Sequence, residues 1–380
     1  MQILPVASGK GGVGKSLVAA NLSIALAQAG NQVILADLDL GGSNLHTILG
    51  MRAPSAGIGT FFARKGMAFD DIILPTEYRN LSLIPGDAEI PGIANLKSYQ
   101  KRALVKNLTA LEADYLVLDL GSGTSYNTLD FFLLSSRGIM VTTPTMTAIL
   151  NAYLFLKNAV FRLIDHSFNA KGPAGDYLKS LRESGDGLQR AYVPQILPEL
   201  RVRDPEGYEL FVSQRDAFQP SLIMNLLDDP KDSAKAGKIR RSCIHYLGVD
   251  LDHLGVIYRD SLQDSALSSG LPIVVYKPQS VLAQAVSRIA DKVMESSAVG
   301  MQLQDIDEVD DNYTAADMEA EIDFETKIQY MQDLLHSGAL SEGDLFETLR
   351  MQQYEINRLR KESNFLKTKI VKASKAGYDL

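Results

Sequence analysis

Ser8-Gly9-Lys10-Gly11-Gly12-Val13-Gly14-Lys15-Ser16 is the stretch from which the rest of this 380-residue chain is read. Gly9, Gly14, Lys15 and Ser16 satisfy the spacing G-x4-G-K-[ST] of a phosphate-binding loop. Such a loop wraps a polyphosphate closely and turns its N–H groups inward, in backbone conformations that side chains would block; hence the glycines. Lys15 is placed to reach the outer phosphates, and the Ser16 hydroxyl to ligate Mg²⁺. The flanks agree with this reading. Ile3-Leu4-Pro5-Val6-Ala7 reads as a short buried strand, and Leu17 to Ala29 as a helix closed by Gly30.

Working outward, apolar strands alternate with amphipathic helices as far as Glu295. This pattern predicts an α/β fold, a doubly wound, mostly parallel sheet covered on both faces, followed by a C-terminal helical extension. The strands are expected at Gln32–Asp37, Asn80–Pro85, Asp114–Asp119, Gly138–Thr143, Ser221–Asn225 and Leu251–Ile257, with Pro272–Val275 as a short edge strand. Polar residues collect at their carboxyl ends, where open α/β sheets bind ligands. The expected organisation is a nucleotide-binding domain over 1–298, an acidic linker over 299–325 and a helical tail over 326–380. Residues 162–220, rich in Gly and Pro, read as an inserted segment of short helices and loops, a mobile excursion rather than a partner surface.

The composition narrows the class. One cysteine, Cys243, excludes an internal disulfide and any four-cysteine zinc or iron–sulfur site within one chain, and is expected to be a buried, inert thiol. The N-terminus carries no basic region ahead of its first strand, and no apolar run approaches the ~20 residues of a membrane span, so a cytoplasmic protein is expected. The net charge of −8 is local: residues 302–325 hold ten Asp or Glu and no Lys or Arg, and setting those ten aside leaves +2. The acidity therefore says little about what the catalytic body binds.

Three further stretches carry candidate chemistry. Asp119 ends the apolar run Tyr115–Leu118, the position of an aspartate that holds the Mg²⁺ shell, and Gly123 follows four residues on, where its N–H could meet a γ-phosphate. Asp37 and Asp39 stand two apart on an extended segment and so share a face; the competing reading is a turn or helix cap. Asn225 ends the strand Ser221–Asn225, and its amide offers a donor and an acceptor to an adenine edge.

Lys10 specifies the class further. Lys10-Gly11-Gly12-Val13-Gly14-Lys15-Ser16 resembles the deviant Walker A motif of the MinD/ParA family of ATPases, and the chain looks most like the MinD and FlhG branch, which includes flagellar-number proteins. The resemblance covers residues 1–295 with 162–220 unmatched. It implies that ATP and Mg²⁺ are the cofactors and that ATP closes a sandwich homodimer in which Lys10 touches the partner subunit's phosphates. It further implies that Asp39 orients the attacking water in slow, partner-stimulated hydrolysis, that Asp37 lies nearer the metal, and that Asn225 reads the base. The implied catalytic residues are Lys10, Lys15 and Asp39. The nucleotide set is Gly9, Lys10, Gly11, Gly12, Val13, Gly14, Lys15, Ser16, Leu17, Gly123 and Asn225, and the metal set is Ser16, Asp37 and Asp119. Asn44 also matches the family, while His46 stands where an aspartate is frequent and is given no role. Tyr258 and Arg259 depart from the family's base-flanking turn.

The tail has a seam of its own. Leu345, Leu349, Gln352, Ile356, Leu359, Ser363, Leu366, Ile370 and Ala373 follow alternating four- and three-residue steps, the spacing of a coiled coil or docking helix. Between Glu355 and Lys375 seven Lys or Arg face two Glu, which leaves a basic helix on an anionic membrane as the alternative. The expected function is a Mg²⁺-dependent ATPase switch that positions a cellular machine, a flagellum or the division site, through a protein partner. The alternatives are a ParA-like ATPase binding DNA non-specifically and a nucleotide-binding scaffold with negligible turnover.

Overall fold

Alternate residues of a strand point to opposite sides of a sheet, and here both sides are apolar. In β2 (Val33–Leu38), Val33 and Leu35 enter one core while Ile34, Ala36 and Leu38 enter another. β5 (Tyr115–Leu120) divides likewise, with Tyr115 and Val117 opposed to Leu116, Leu118 and Leu120. Helices Lys15–Gln28 and Val281–Ala298 cover the first face, and helices Ser98–Thr109, Met146–Ser167 and Ala236–Leu247 the second. A computed structural model describes residues 1–86, 96–183, 192–298 and 306–336, with Arg350, Gln353, Tyr354, Asn357, Arg358, Ser363 and Leu366 beyond them.

The remaining strands are β1 (Gln2–Ala7), β3 (Leu74–Pro75), β4 (Leu81–Ile84), β6 (Ile139–Thr142), β7 (Ser221–Leu227) and β8 (Asp252–Tyr258). They form one eight-stranded sheet in the order β3-β4-β2-β5-β1-β6-β7-β8, parallel throughout except for β3, which pairs antiparallel to β4. β1 pairs with β5 on one side and β6 on the other. Successive crossovers run in opposite directions on either side of β1, and ligands bind at the carboxyl edge of such a switch point. The phosphate-binding loop leaves the sheet there.

The seven principal strands lie within two residues of their expected positions, and β3 was not anticipated. The expected edge strand Pro272–Val275 is instead a one-turn helix, Ile273–Tyr276. A short β-branched run reads alike in either state; here Ile273 and Val274 are buried against the first face, and the Val274 N–H donates to Asn21 Oδ1 at 3.3 Å.

Residues 162–220 are not an excursion. Helix Met146–Ser167 runs on into them, and helices Pro173–Glu183, Val193–Arg203 and Pro205–Ala217 follow. Leu178, Val193, Ile196, Leu200 and Phe211 are buried in the second core. Three prolines that read as breakers begin helices: Pro173, Pro194 and Pro205 stand in first turns, where a missing N–H costs nothing. By length and composition Met146–Ser167 would span a membrane, but 56% of its apolar window is buried inside the protein, as in a core helix.

The acidic stretch is likewise no linker over its described part. Ile306–His336 is one helix, and up to Phe324 it belongs to the same compact unit as the described residues before it. Val309, Ala316 and Ala320 are buried, and Tyr313 packs beside them. Hydrogen bonds tie this helix to both ends of β8, the sheet's edge strand. The Tyr313 hydroxyl donates to Leu251 O at 2.8 Å, and the Tyr258 hydroxyl donates to Ala320 O at 2.7 Å. Residues from Glu325 onward form a second unit. The proposed seam lies outside the described residues except for Ser363 and Leu366, both helical.

Candidate functional site

The loop between β1 and helix Lys15–Gln28 tolerates only glycine at two of the positions that define it. A Cβ on Gly9 would stand 2.1 Å from Asn151 O, and one on Gly14, 2.3 Å from Asn225 Nδ2. Gly12 and Gly14 adopt φ of +79° and +83°, the left-handed region that side chains disfavour. Gly11 lies 3.6 Å from Ser122 Oγ by the same measure, which sets the loop against the segment after β5.

Beneath the loop, Lys15 Nζ meets Asp119 Oδ1 at 2.5 Å, with both side chains buried, and donates to Ser16 Oγ at 3.3 Å. Parallel pairing of β2 with β5 sets Asp37 directly beside Asp119. Burial raises the Asp119 pKa, and Lys15 and the Ser16 hydroxyl oppose that shift without cancelling it. Burial, then the Asp119 charge, pushes Asp37 up to about 6. Two buried carboxylates thus share one lysine. Asp119 Oδ2 is itself buried with no hydrogen-bond partner among the described residues. An open, anionic oxygen atom beside the Ser16 hydroxyl is a hard donor set suited to Mg²⁺. Ser16 and Asp119 therefore fit the metal.

Asp37 is already occupied. Its Oδ2 accepts from the Ser43 hydroxyl at 2.8 Å and from the Asn44 and Leu45 N–H groups at 3.1 and 3.3 Å, and its Oδ1 accepts from the Asp39 N–H at 3.2 Å. It therefore caps the turn and the short helix Leu45–Ile48, the competing reading of this pair. The Asp39 side chain lies outside that bond set. Its carboxylate rests between Gly42 and Gly121, where a Cβ would come 3.6 and 3.5 Å from Oδ1. A cavity of about 190 Å³ opens beside it, lined by Ser122, Ser125 and Asn127 among others.

Asn225 and Gly123 make contacts that the sequence did not indicate. The Asn225 Nδ2 donates to Val13 O at 2.8 Å, so this buried amide ties the carboxyl end of β7 to the phosphate loop. The Gly123 N–H, at φ +88°, donates to Ser8 O at 3.1 Å. Leu17, half-buried in the helix after the loop, contributes its carbonyl to the Asn21 side chain at 2.8 Å. Lys10 is exposed on the loop, with Nζ 3.3 Å from Thr147 Oγ1 at the start of helix Met146–Ser167. Three participants carried no motif: Ser43, Asn151 and Ser8, whose Oγ is buried without a partner among the described residues. Only Ser43, six residues beyond Asp37, could have been suspected from sequence, as a turn hydroxyl.

Two other expectations resolve structurally. Tyr258 departs from the family turn because it anchors the helix Ile306–His336, and Arg259 is exposed with Nε 3.2 Å from Asp228 Oδ1. Cys243 is buried, and burial pushes its thiol up to about 12, the inert state expected.

Comparison with known proteins gives this geometry its setting. Residues 1–158 match the family model ParA, described as "NUBPL iron-transfer P-loop NTPase". The chain is 36% identical over 163 residues to the flagellum site-determining protein YlxH of Helicobacter pylori, covering 41% of this chain and 53% of that protein. It is 28% identical over 159 residues to the antiactivator FleN of Pseudomonas aeruginosa, covering 41% and 56%. The chain thus spans about half the length of the curated relatives it matches. The septum site-determining protein MinD of Pyrococcus horikoshii, solved with Mg-ADP, superposes with a TM-score of 0.54 at 21% identity, over 78% of this chain and 98% of that one. The sheet is therefore a MinD/ParA-like P-loop NTPase fold, and residues 1–158 are similar to the ParA family model.

Proposed function

We propose that this protein is a Mg²⁺-dependent ATPase switch whose ATP-bound form is a sandwich homodimer, and that it positions a cellular machine through a protein partner. Members of the family are ATPases. Relatives carry names tied to flagellar site and septum site, which supports a spatial output for this chain. Within the site, Lys15 binds the outer phosphates, the loop N–H groups hold the β-phosphate region, and Asp39 orients the attacking water in the cavity beside Gly121. Ser16 and Asp119 would hold Mg²⁺, with Asp37 behind them as the residue that shapes the turn leading into helix Leu45–Ile48. The metal supplies charge neutralisation on the phosphates. Gly123 would exchange its bond to Ser8 O for one to the γ-phosphate.

One observation carries the dimer reading. Lys10 stands exposed on the phosphate loop, beside a helix that presents Met146, Leu150 and Leu154 outward at four-residue steps, with Met146 75% exposed. Tyr126, three residues beyond Gly123, is also exposed. An exposed apolar stripe rarely lies idle on a soluble surface. Next to a cation that the intrachain site does not need, it suits a second copy of the chain.

Light scattering on the full chain carrying Asp39→Ala tests this. The expected result is a mass that doubles with ATP relative to ADP, and no doubling when Lys10→Ala is added. Equal masses in both nucleotides would remove the sandwich dimer. ATP-dependent shift of non-specific DNA that weakens with salt, or turnover absent even with partners, would favour the partition-like or scaffold alternatives respectively. The tail's part in partner binding and any membrane contact belong to the same proposal, with a cytoplasmic, pole- or membrane-associated location.

A further inference from the structure

The segment 162–220, which the family resemblance leaves unmatched, walls a second cavity on the sheet face opposite helix Lys15–Gln28. The cavity measures about 570 Å³ and lies among helices Ser98–Thr109, Met146–Ser167 and Pro205–Ala217 and the segment before β6. Its floor is apolar, formed by Val105, Leu133, Leu134, Leu163 and Phe218. Its rim is cationic. Lys101, Arg102 and Lys106 follow one another along one helix, and the only carboxylate in the lining is Asp130.

That carboxylate is already neutralised. Arg162 holds Asp130 through Nε at 2.6 Å and Nη2 at 3.0 Å, Lys101 forms an ion pair with it, and these cations draw its pKa below the ordinary value. Arg102 and Lys106 have no acidic partner among the described residues, and both are exposed. The cavity thus presents two uncommitted cations above a hydrocarbon surface. Volumes of roughly 300–1,000 Å³ with a mainly apolar lining and few polar groups are typical of small-ligand sites.

We propose that this cavity binds an amphiphilic anion, a carboxylate or phosphate head on an acyl-like body, with Arg102 and Lys106 on the head and Val105, Leu163 and Phe218 against the body. A neutral body of the same length leaves both cations unanswered, and a bare anion leaves the apolar floor in water. Both halves of the ligand are required. The site is separate from the phosphate loop, which lies at the carboxyl ends of the strands, whereas Ser135 and Ser136 of this cavity precede β6.

Isothermal titration of the full chain with decanoate and decyl phosphate tests it, with decanol and inorganic phosphate as the two half-ligands. The expected result is saturable binding of both amphiphiles, at least ten-fold tighter than either half-ligand and weakening with salt. Arg102→Glu combined with Lys106→Glu should lower the affinity at least ten-fold, and Ala217→Trp, which fills the rim, should do so without touching a charge. ATP affinity should be unchanged in both variants and reports that each is folded. Flotation with phosphatidylglycerol vesicles locates the source. Charge-dependent flotation supports a lipid in the bilayer, and decanoate binding without flotation supports a free acid. Decanol binding as tightly as decanoate, or undiminished binding by the charge-reversed variant, would overturn the proposal.

Discussion

Beneath the phosphate loop, the lone cation Lys15 faces two buried carboxylates, Asp37 and Asp119, and one oxygen of Asp119 is left open. Behind β8 each of four acids touches a cation of the chain, three cations in all. Arg288 meets Asp323 at 2.5 Å, Lys292 meets Glu319 at 2.8 Å, and Arg240 spans Asp250 and Asp310. Both places bury charge, and in both burial raises a carboxyl pKa, at Asp119 and at Asp323. The difference lies in who supplies the cation. At β8 every one of these acids has a chain cation in contact, so the pairs clamp a helix. At the loop Asp37 has none among the described residues, and under the proposed function Mg²⁺ and nucleotide would complete the arrangement. Buried charge that the chain itself balances is structure; buried charge left short is the mark of a site.

The largest expected effect falls on the loop. Lys15→Ala should weaken ATP binding by about 100-fold or more, since it removes the buried cation that pairs with Asp119 and strands both carboxylates; titration calorimetry reads it. Affinity within a few-fold of the parent would break the contrast, because the loop would then not depend on the charge it lacks.

The clamp should respond to acid instead. His253 lies wholly buried beside Tyr313, ring centroids 5.1 Å apart, and burial draws its pKa down to about 3. Its pKa in the unfolded chain is about 6.5, so below that value the unfolded state takes up a proton that the folded state refuses. Stability is therefore complete above pH 6.5 and is lost as pH falls toward 3, by roughly 2 kcal/mol at pH 5. His253→Leu should flatten that slope between pH 7 and 5 in urea unfolding. An equal slope in parent and variant would mean another group governs the acid response.

The smallest effect sharpens the boundary between the two regions. Tyr258→Phe removes the hydroxyl that donates to Ala320 O and should cost about 1 kcal/mol of stability. ATP affinity should stay within two-fold. A large loss of affinity would show that the base end of β7–β8 and the clamp are one unit rather than two.

Much of this was legible in the order of residues. The glycine spacing around Lys15 and the two-residue alternation of the strands are local signals, because backbone φ and strand faces depend on near neighbours. Asp119 and Asp39 were legible for the same reason, as polar ends of apolar runs. The clamp was not. Its core-facing positions, buried Val309, Ala316 and Ala320 and half-buried Tyr313, are spaced at three, four and seven among ten acids, and small apolar residues carry little weight in a composition that reads as a linker. The helices of 173–217 were obscured by prolines that begin them. Asn225 was legible as the polar end of its strand; its bond to Val13, 212 residues away in sequence, was not.

By itself, the sequence determined the phosphate loop, the parallel sheet and the position of its ligand edge, because each rests on backbone preferences and strand periodicity that neighbouring residues decide. Only the tertiary structure decided that Asp37 caps a turn, that the acidic stretch closes an edge strand and that 162–220 walls a cavity. Those outcomes depend on which distant surface each side chain meets, and on the charge and space already present there.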